Sequence, residues 1–278
     1  MIFSGNKVEN EVEAYLLGFI YADGSIHNFK GGKYRTLSIG LAEKDKDFLQ
    51  IICNIFNKEL GKKYSLKRQE KTKSYKLTIC NSDMNERLMK LGIHNNKTYE
   101  NNSFVFNNVP NNLKTHFIRG FFDGDGCICY TSRKQYVIGF VSLNKKLLES
   151  ICNYINNNFN LNIKVRLENN KYARINFGGT RKSKKFLDII YSNSTIFLKR
   201  KYIIYKQIPK DNKKYKYKGL AWYKRNKKIA VFLYIDINNQ KKYLGLRDTE
   251  IDAVKLYNEG AKRFGKQEQI WNGESNEH

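Results

Sequence analysis

Proline is nearly missing from this 278-residue chain, with Pro110 and Pro209 the only two. That excludes collagen-like and proline-rich scaffolds, and it makes each proline the mark of a joint. Acidic residues are also scarce: 26 Asp and Glu stand against 51 Lys and Arg, a formal charge of +25. No apolar run approaches the roughly 20 residues needed to cross a bilayer, and the N-terminus shows no secretory signal pattern. Neither a membrane partner nor secretion is expected. The five cysteines are odd in number and irregularly spaced, which argues against a disulfide framework and for reduced thiols. Cys127 and Cys129 alternate along an expected strand, but no second Cys or His pair completes a zinc set. The expected setting is intracellular and reducing: cytoplasm, nucleoid or organellar matrix.

What is present is a hydrophobic content of 41% and an aromatic content of 14%, enough for a sizeable core. The basic residues are spread along the chain rather than gathered in a tail. A folded, basic, aromatic-rich chain points first to nucleic acid. Codon bias in an AT-rich genome would also enrich lysine, but it would not deplete the acids to this degree.

One ten-residue stretch occurs twice. The copies are Leu16-Leu17-Gly18-Phe19-Ile20-Tyr21-Ala22-Asp23-Gly24-Ser25 and Ile118-Arg119-Gly120-Phe121-Phe122-Asp123-Gly124-Asp125-Gly126-Cys127, and their glycines and final aspartates both lie 102 positions apart. Such a repeat implies two similar lobes. Apolar residues lead into each copy at helical spacing, and small residues recur every fourth position: Ala14, Gly18 and Ala22, then Gly120 and Gly124. A glycine within a helix costs about 1 kcal/mol, so a stripe of them implies close backbone packing of one helix on the other. Gly24 and Gly126 are expected to end both helices in left-handed conformation. Asp23 and Asp125 then sit side by side at two helix C-termini, opposing the dipoles and each other. Stability does not account for that placement. Binding of a divalent cation does, because hard oxygen ligands held close suit Mg²⁺, and such sites serve phosphodiester hydrolysis. A calcium loop at Asp123-Gly124-Asp125-Gly126 is excluded by its misplaced glycine and by Lys134 at the closing position.

Downstream, the expected order is αββαββα in each lobe, 1–108 and 109–207, then a linker at 208–216 and a tail module at 217–272. Strands at 34–41 and 74–80 alternate cleanly, leaving Tyr34, Thr36, Ser38, Lys76 and Thr78 on the polar faces. In lobe two the polar faces carry Lys164, Arg166, Tyr172, Arg174 and Asn176. The fold class is thus α+β, with a four-stranded antiparallel sheet per lobe whose outer face can follow a DNA groove.

The doubled motif in two αββαββα lobes resembles a single-chain LAGLIDADG homing endonuclease over roughly residues 10–207. The resemblance implies a monomeric, site-specific double-strand DNA endonuclease that cuts a long asymmetric target to 3′ overhangs and spreads its host element. It implies Asp23 and Asp125, with adjoining Ala22 and Gly124, as metal residues, taking Mg²⁺, with Mn²⁺ as a substitute and Ca²⁺ supporting binding without cleavage. Lys97 and Lys201 fall at the family's basic active-site positions, and Glu43 and Ser142 at a position that orders water. Tyr21 replaces the motif's usual first acid, which Asp123 retains. A Met1 start without splicing ends argues against an intein. The alternatives are an RNA maturase assisting intron splicing, with RNA as partner, and a non-catalytic DNA-binding regulator.

The tail is expected to be three strands and a helix capped by Asp248 or Thr249. With Tyr243-Leu244-Gly245 and Ala253, Tyr257, Asn258 and Ala261, it resembles the APETALA-type (ethylene-response-factor) DNA-binding domain. That implies DNA contacts from Trp222, Lys224, Arg225, Lys227 and Tyr234.

Overall fold

The structure, a computed structural model, describes residues 2–5, 7–29, 34–93, 97, 101–168, 172–209, 217–223, 225–234 and 241–269. The chain divides into two compact units, Met1–Lys210 and Asp211–His278, each with its own core. The architecture is α+β.

The first unit holds both lobes. Lobe one runs α1 (Glu11–Asp23), β1 (Gly24–Phe29), β2 (Tyr34–Ala42), α2 (Lys46–Leu60), β3 (Leu66–Gln69), β4 (Ser74–Cys80) and α3 (Ser82–Lys90). A short helix, α4 (Phe104–Asn107), precedes lobe two. That lobe runs α5 (Lys114–Asp125), β5 (Gly126–Tyr130), β6 (Tyr136–Ser142), α6 (Lys145–Phe159), β7 (Val165–Glu168), β8 (Tyr172–Gly178), α7 (Thr180–Tyr191) and α8 (Lys199–Gln207). Both sheets are antiparallel, in the equivalent orders β1-β2-β4-β3 and β5-β6-β8-β7. The register repeats as well: Gly24 pairs with Ile39, and Gly126 with Phe140.

Local chemistry explains the elements. Asn10, Asn81 and Asn144 cap α1, α3 and α6, accepting from the amides of Glu13, Met84 and Leu147 at 3.0, 2.9 and 3.0 Å. At the other end of α2, the Asn57 amide group brackets Tyr64, accepting from its N–H at 2.6 Å and donating to its carbonyl at 3.0 Å. Asn156 does the same for Ile163 at 2.8 Å in each direction, so the duplicated lobes keep even their loop fastenings. One apolar face of each sheet, Leu37, Ile39, Leu77 and Ile79 in lobe one and Ile138, Phe140, Ile175 and Phe177 in lobe two, closes against the helices. These faces join α1 and α5 in one continuous core, so the two lobes are halves of a single unit rather than domains on a tether.

Two expectations change. Gly24 and Gly126 are not left-handed; their φ values are −95° and −81°, and each helix passes straight into a strand. Glycine is required there by space: a Cβ on Gly126 would lie 2.1 Å from the Phe122 ring, and one on Gly24 2.7 Å from Ile20 Cγ2. Helix α8 was also unexpected, because its buried positions are Lys201 and Tyr205, and a lysine on the inward face breaks the apolar period.

The second unit has β9 (Leu220–Tyr223), β10 (Lys228–Tyr234), β11 (Lys241–Arg247) and α9 (Glu250–Arg263), in sheet order β11-β10-β9. Thr249 caps α9 through the Asp252 amide at 3.2 Å. Ile229, Val231 and Leu233 pack on Ala253, Tyr257 and Ala261 of the helix. Most of the expected linker at 208–216 lies outside the described residues.

Candidate active site

Helices α1 and α5 meet along the small-residue seam. A Cβ on Gly18 would sit 2.1 Å from the Phe117 carbonyl oxygen, and one on Gly120 1.9 Å from that of Tyr15. The backbones therefore touch, which only glycine permits. Further along, a Cβ on Gly124 would lie 2.3 Å from Ala22 Cβ and 3.0 Å from Asp23 Oδ2. The seam thus delivers both motif aspartates to one place, the shared C-terminal end of two touching helices.

The electrostatics are strained. Burial, and then the charge of Asp125, push the Asp23 carboxyl up to about 6. Burial raises Asp125 also, against the pull of Lys201 and Lys97. Asp125 nevertheless touches solvent, and Asp23 is only half-buried. Both observations fit carboxylates set partly into the protein at the end of the seam yet within reach of solvent.

Lys97 and Lys201 lie beside the two acids in matching fashion. Lys97 Nζ donates to the Gly24 carbonyl, and Lys201 Nζ donates to that of Gly126 at 2.5 Å, so each meets the glycine that follows its own lobe's aspartate. Lys201 also donates to Phe122 O at 2.5 Å and Asp123 O at 2.8 Å, neutralising the carbonyl end of α5. Both ammonium groups are buried, which pushes Lys201 down to about 8 and lowers Lys97.

Glu43 and Ser142 are less alike than their positions imply. Counted from α2 and α6 they correspond, but counted along the strands Ser142 matches Leu41, because lobe one inserts a 3-10 turn at Glu43–Asp45. Ser142 is buried on the helix side of β6, and its Oγ accepts from the Asn144 amide at 3.1 Å. Glu43 is exposed and 3.6 Å from the Arg68 guanidinium.

The outer faces of the two sheets differ in chemistry. Lobe one presents Thr36 and Ser38 in its middle, both largely covered, with Lys76 and Thr78 beside them; the Tyr34 side chain lies outside the described residues. Ser25, His27 and Lys67 share this face although sequence reasoning did not single them out. Lobe two presents Arg166, Arg174, Asn176 and Tyr172, with Arg174 Nε 2.9 Å from Glu168. Lys164 directly precedes β7. Cys127, Cys129 and Val141 complete this face. Also missed was a bond between lobes, Arg200 Nε to Asp45 Oδ1 at 2.9 Å, for which the sequence holds no signal.

In the second unit Trp222 pairs with Ile229, which faces α9, so it stands at the edge of the helix side rather than on the open face. The open face carries Tyr223, Phe232 and Tyr243, with Lys241 Nζ 3.6 Å from the centre of the Phe232 ring. Arg225 and Lys227 are exposed in the β9–β10 turn; Lys224 and the Tyr234 side chain lie outside the described residues.

Two sheet-bearing lobes, joined by a glycine seam that brings together an aspartate and a lysine from each, define a duplicated, pseudo-symmetric α+β scaffold. The LAGLIDADG-like domain model matches residues 10–98 and 112–191, more than half of the chain, and the chain belongs to that family. Among solved structures, the LAGLIDADG homing endonuclease I-LtrWI bound to target DNA is 15% identical, with 71% of this chain and 89% of that chain covered and a TM-score of 0.49. I-DmoI in complex with DNA and Ca is 18% identical, covering 71% and 97%, also at 0.49. The N-terminal LAGLIDADG domain of DUF199/WhiA is 18% identical, covering 69% and 87%, at 0.43. Comparison with curated proteins finds no match.

Proposed function

We propose that this protein is a site-specific double-strand DNA endonuclease. The observation that carries the reading is the doubled pair: Asp23 with Lys97 and Asp125 with Lys201, each lysine on the carbonyl after its lobe's acid. One such pair per DNA strand lets a single chain cut both strands of a duplex.

The acids suit a divalent cation. Among the described residues, no group of three or more His, Cys, Asp or Glu side chains is gathered for a metal. Mg²⁺ is commonly held by one or two carboxylates, with water and substrate phosphate completing its shell. Asp23 and Asp125 would hold it, with the adjoining Ala22 and Gly124 backbone. When bound, such an ion supplies Lewis-acid activation of water and neutralises charge on the phosphate.

The chain's own residues supply the rest. The outer faces bind the duplex, with Lys67, Lys76, Lys164 and Arg166 neutralising phosphates and Arg174 and Asn176 suited to guanine and adenine edges. Lys97 and Lys201 hold positive charge beside the two acids, where it stabilises the pentavalent phosphate. A pKa near 8 keeps Lys201 mostly cationic at neutral pH. The second unit adds affinity through Tyr223, Tyr243, Arg225 and Lys227.

The test is digestion of plasmid libraries, including the uninterrupted form of the gene's own insertion locus, first with Mg²⁺ and then with Ca²⁺. The expected result is linear product at one site with Mg²⁺ and binding alone with Ca²⁺. Binding without cleavage under any metal would favour a regulator, and RNA-dependent splicing activity a maturase.

A further inference from the structure

Asp123 is buried in the seam between lobes, two residues before the exposed Asp125, and takes no part in the site described above except through its backbone. Its carboxylate accepts three hydrogen bonds: from Tyr15 Oη at 2.7 Å, Tyr191 Oη at 2.5 Å and the Leu198 amide at 2.7 Å. Leu198 is the residue on which α8 begins, and Lys201 lies one turn further along. The Lys201 ammonium then returns to the Asp123 carbonyl at 2.8 Å. One residue thus holds both ends of the segment, its side chain gripping the start of α8 and its backbone receiving the lysine that α8 carries.

Lobe one builds the same device from other atoms. Position 21 is the counterpart of position 123 in the repeat, and Tyr21 Oη donates to the Lys97 carbonyl at 3.3 Å. That hydroxyl in turn accepts from Asn144 Nδ2 at 2.8 Å. A carboxylate in lobe two and a phenol in lobe one therefore fasten the backbone of α8 and of Lys97 itself. Burying a carboxylate carries a desolvation cost, which an apolar residue would avoid. Holding Lys201 in place is a reason to keep it.

Resting on the endonuclease reading, we infer that Asp123 and Tyr21 are positioning residues, each fixing the lysine of its own lobe. Because the two grips share no atoms, loosening one slows cleavage of one DNA strand and leaves the other nearly untouched.

The experiment follows nicked and linear forms of a supercoiled plasmid carrying the selected target, with Mg²⁺ and end-labelled strands, and measures affinity separately with Ca²⁺. Asp123→Ala should slow one strand by roughly ten- to a hundredfold, the scale of a misplaced catalytic group, so that nicked circles accumulate while affinity stays near the parent's. Asp123→Asn keeps an acceptor for the Leu198 amide and should return the strand ratio toward that of the parent. Tyr21→Phe should bias nicking toward the opposite strand. Equal slowing of both strands, or the same strand slowed by both variants, would overturn the inference. If Asp123→Ala does not fold, Tyr21→Phe decides alone, since it removes only a hydroxyl. A parent that cuts neither strand overturns the endonuclease reading itself, whereas a parent that cuts both and variants without strand bias overturn only this inference.

Discussion

Gly120→Ala is the sharpest perturbation the seam offers. The added methyl would lie 1.9 Å from the Tyr15 carbonyl oxygen and 2.9 Å from the Phe19 nitrogen. Carbon–oxygen contacts settle near 3.3 Å, so α1 and α5 must part by roughly 1.4 Å at this crossing. Both clashing atoms are backbone, and no side-chain rotation relieves them. Overpacking of this kind costs about 3 kcal/mol, of which about 1 kcal/mol returns as improved helix propensity. A net destabilisation of about 2 kcal/mol lowers Tm by roughly 4–8 °C for a unit of this size. The same parting separates Asp23 from Asp125, and misplacement on that scale can cost roughly a hundredfold in rate. Thermal unfolding and plasmid cleavage, run beside Gly40→Ala, measure both effects. At Gly40 the nearest atom to an added methyl is 4.0 Å away, so that variant should match the parent in stability. A Gly120→Ala protein with unchanged Tm and full cleavage would refute the close-packed seam as the device that aligns the acids.

Asp23→Asn should abolish cleavage yet raise stability at neutral pH. The folded carboxyl titrates near 6, above its ordinary 3.8, so its favourable contribution is complete below the ordinary value and disappears as pH rises through 6. Above that pH the ionised acid weakens the metal-free fold by about 1 kcal/mol once solvent contact is allowed for. The Tm gap between variant and parent should therefore widen from pH 5 to pH 7.5, and a gap independent of pH would count against the assignment. Removing residues 211–278 should weaken DNA binding and flatten its salt dependence by nearly one log–log unit for every phosphate that is no longer neutralised. An unchanged slope in salt titrations would leave the second unit without a role on DNA.

Much of this was legible in the sequence because the duplication is its own control. The repeat at 102 positions located both acids, and the glycine spacing implied that two helices touch. Strand alternation located the sheets to within a residue or two. What stayed hidden depends on tertiary neighbours. Lys201 occupies an inward position that pattern reading scores as polar, and this concealed α8 as a helix. The closing glycines were assigned to backbone conformation, whereas the Phe122 ring and the Ile20 side chain are what exclude a Cβ. The bracing of Asp123 by a tyrosine from each lobe links residues 108 and 68 positions apart, beyond any local signal.

The unbroken passage from α1 into β1, and from α5 into β5, has a practical consequence for retargeting. Asp23 and Ser25 are separated by one glycine, as are Asp125 and Cys127, so the first outer-face residue of each sheet cannot shift without carrying its acid along. Under the proposed endonuclease function, recognition next to the cut is mechanically geared to cutting. Outer strands β3 and β7 have no such linkage, being joined to the seam only through their neighbours. Libraries that vary Lys67, Gln69, Arg166 and Glu168 should yield new flanking preferences at little cost in rate, whereas changes at Ser25 or Cys127 should trade specificity against turnover.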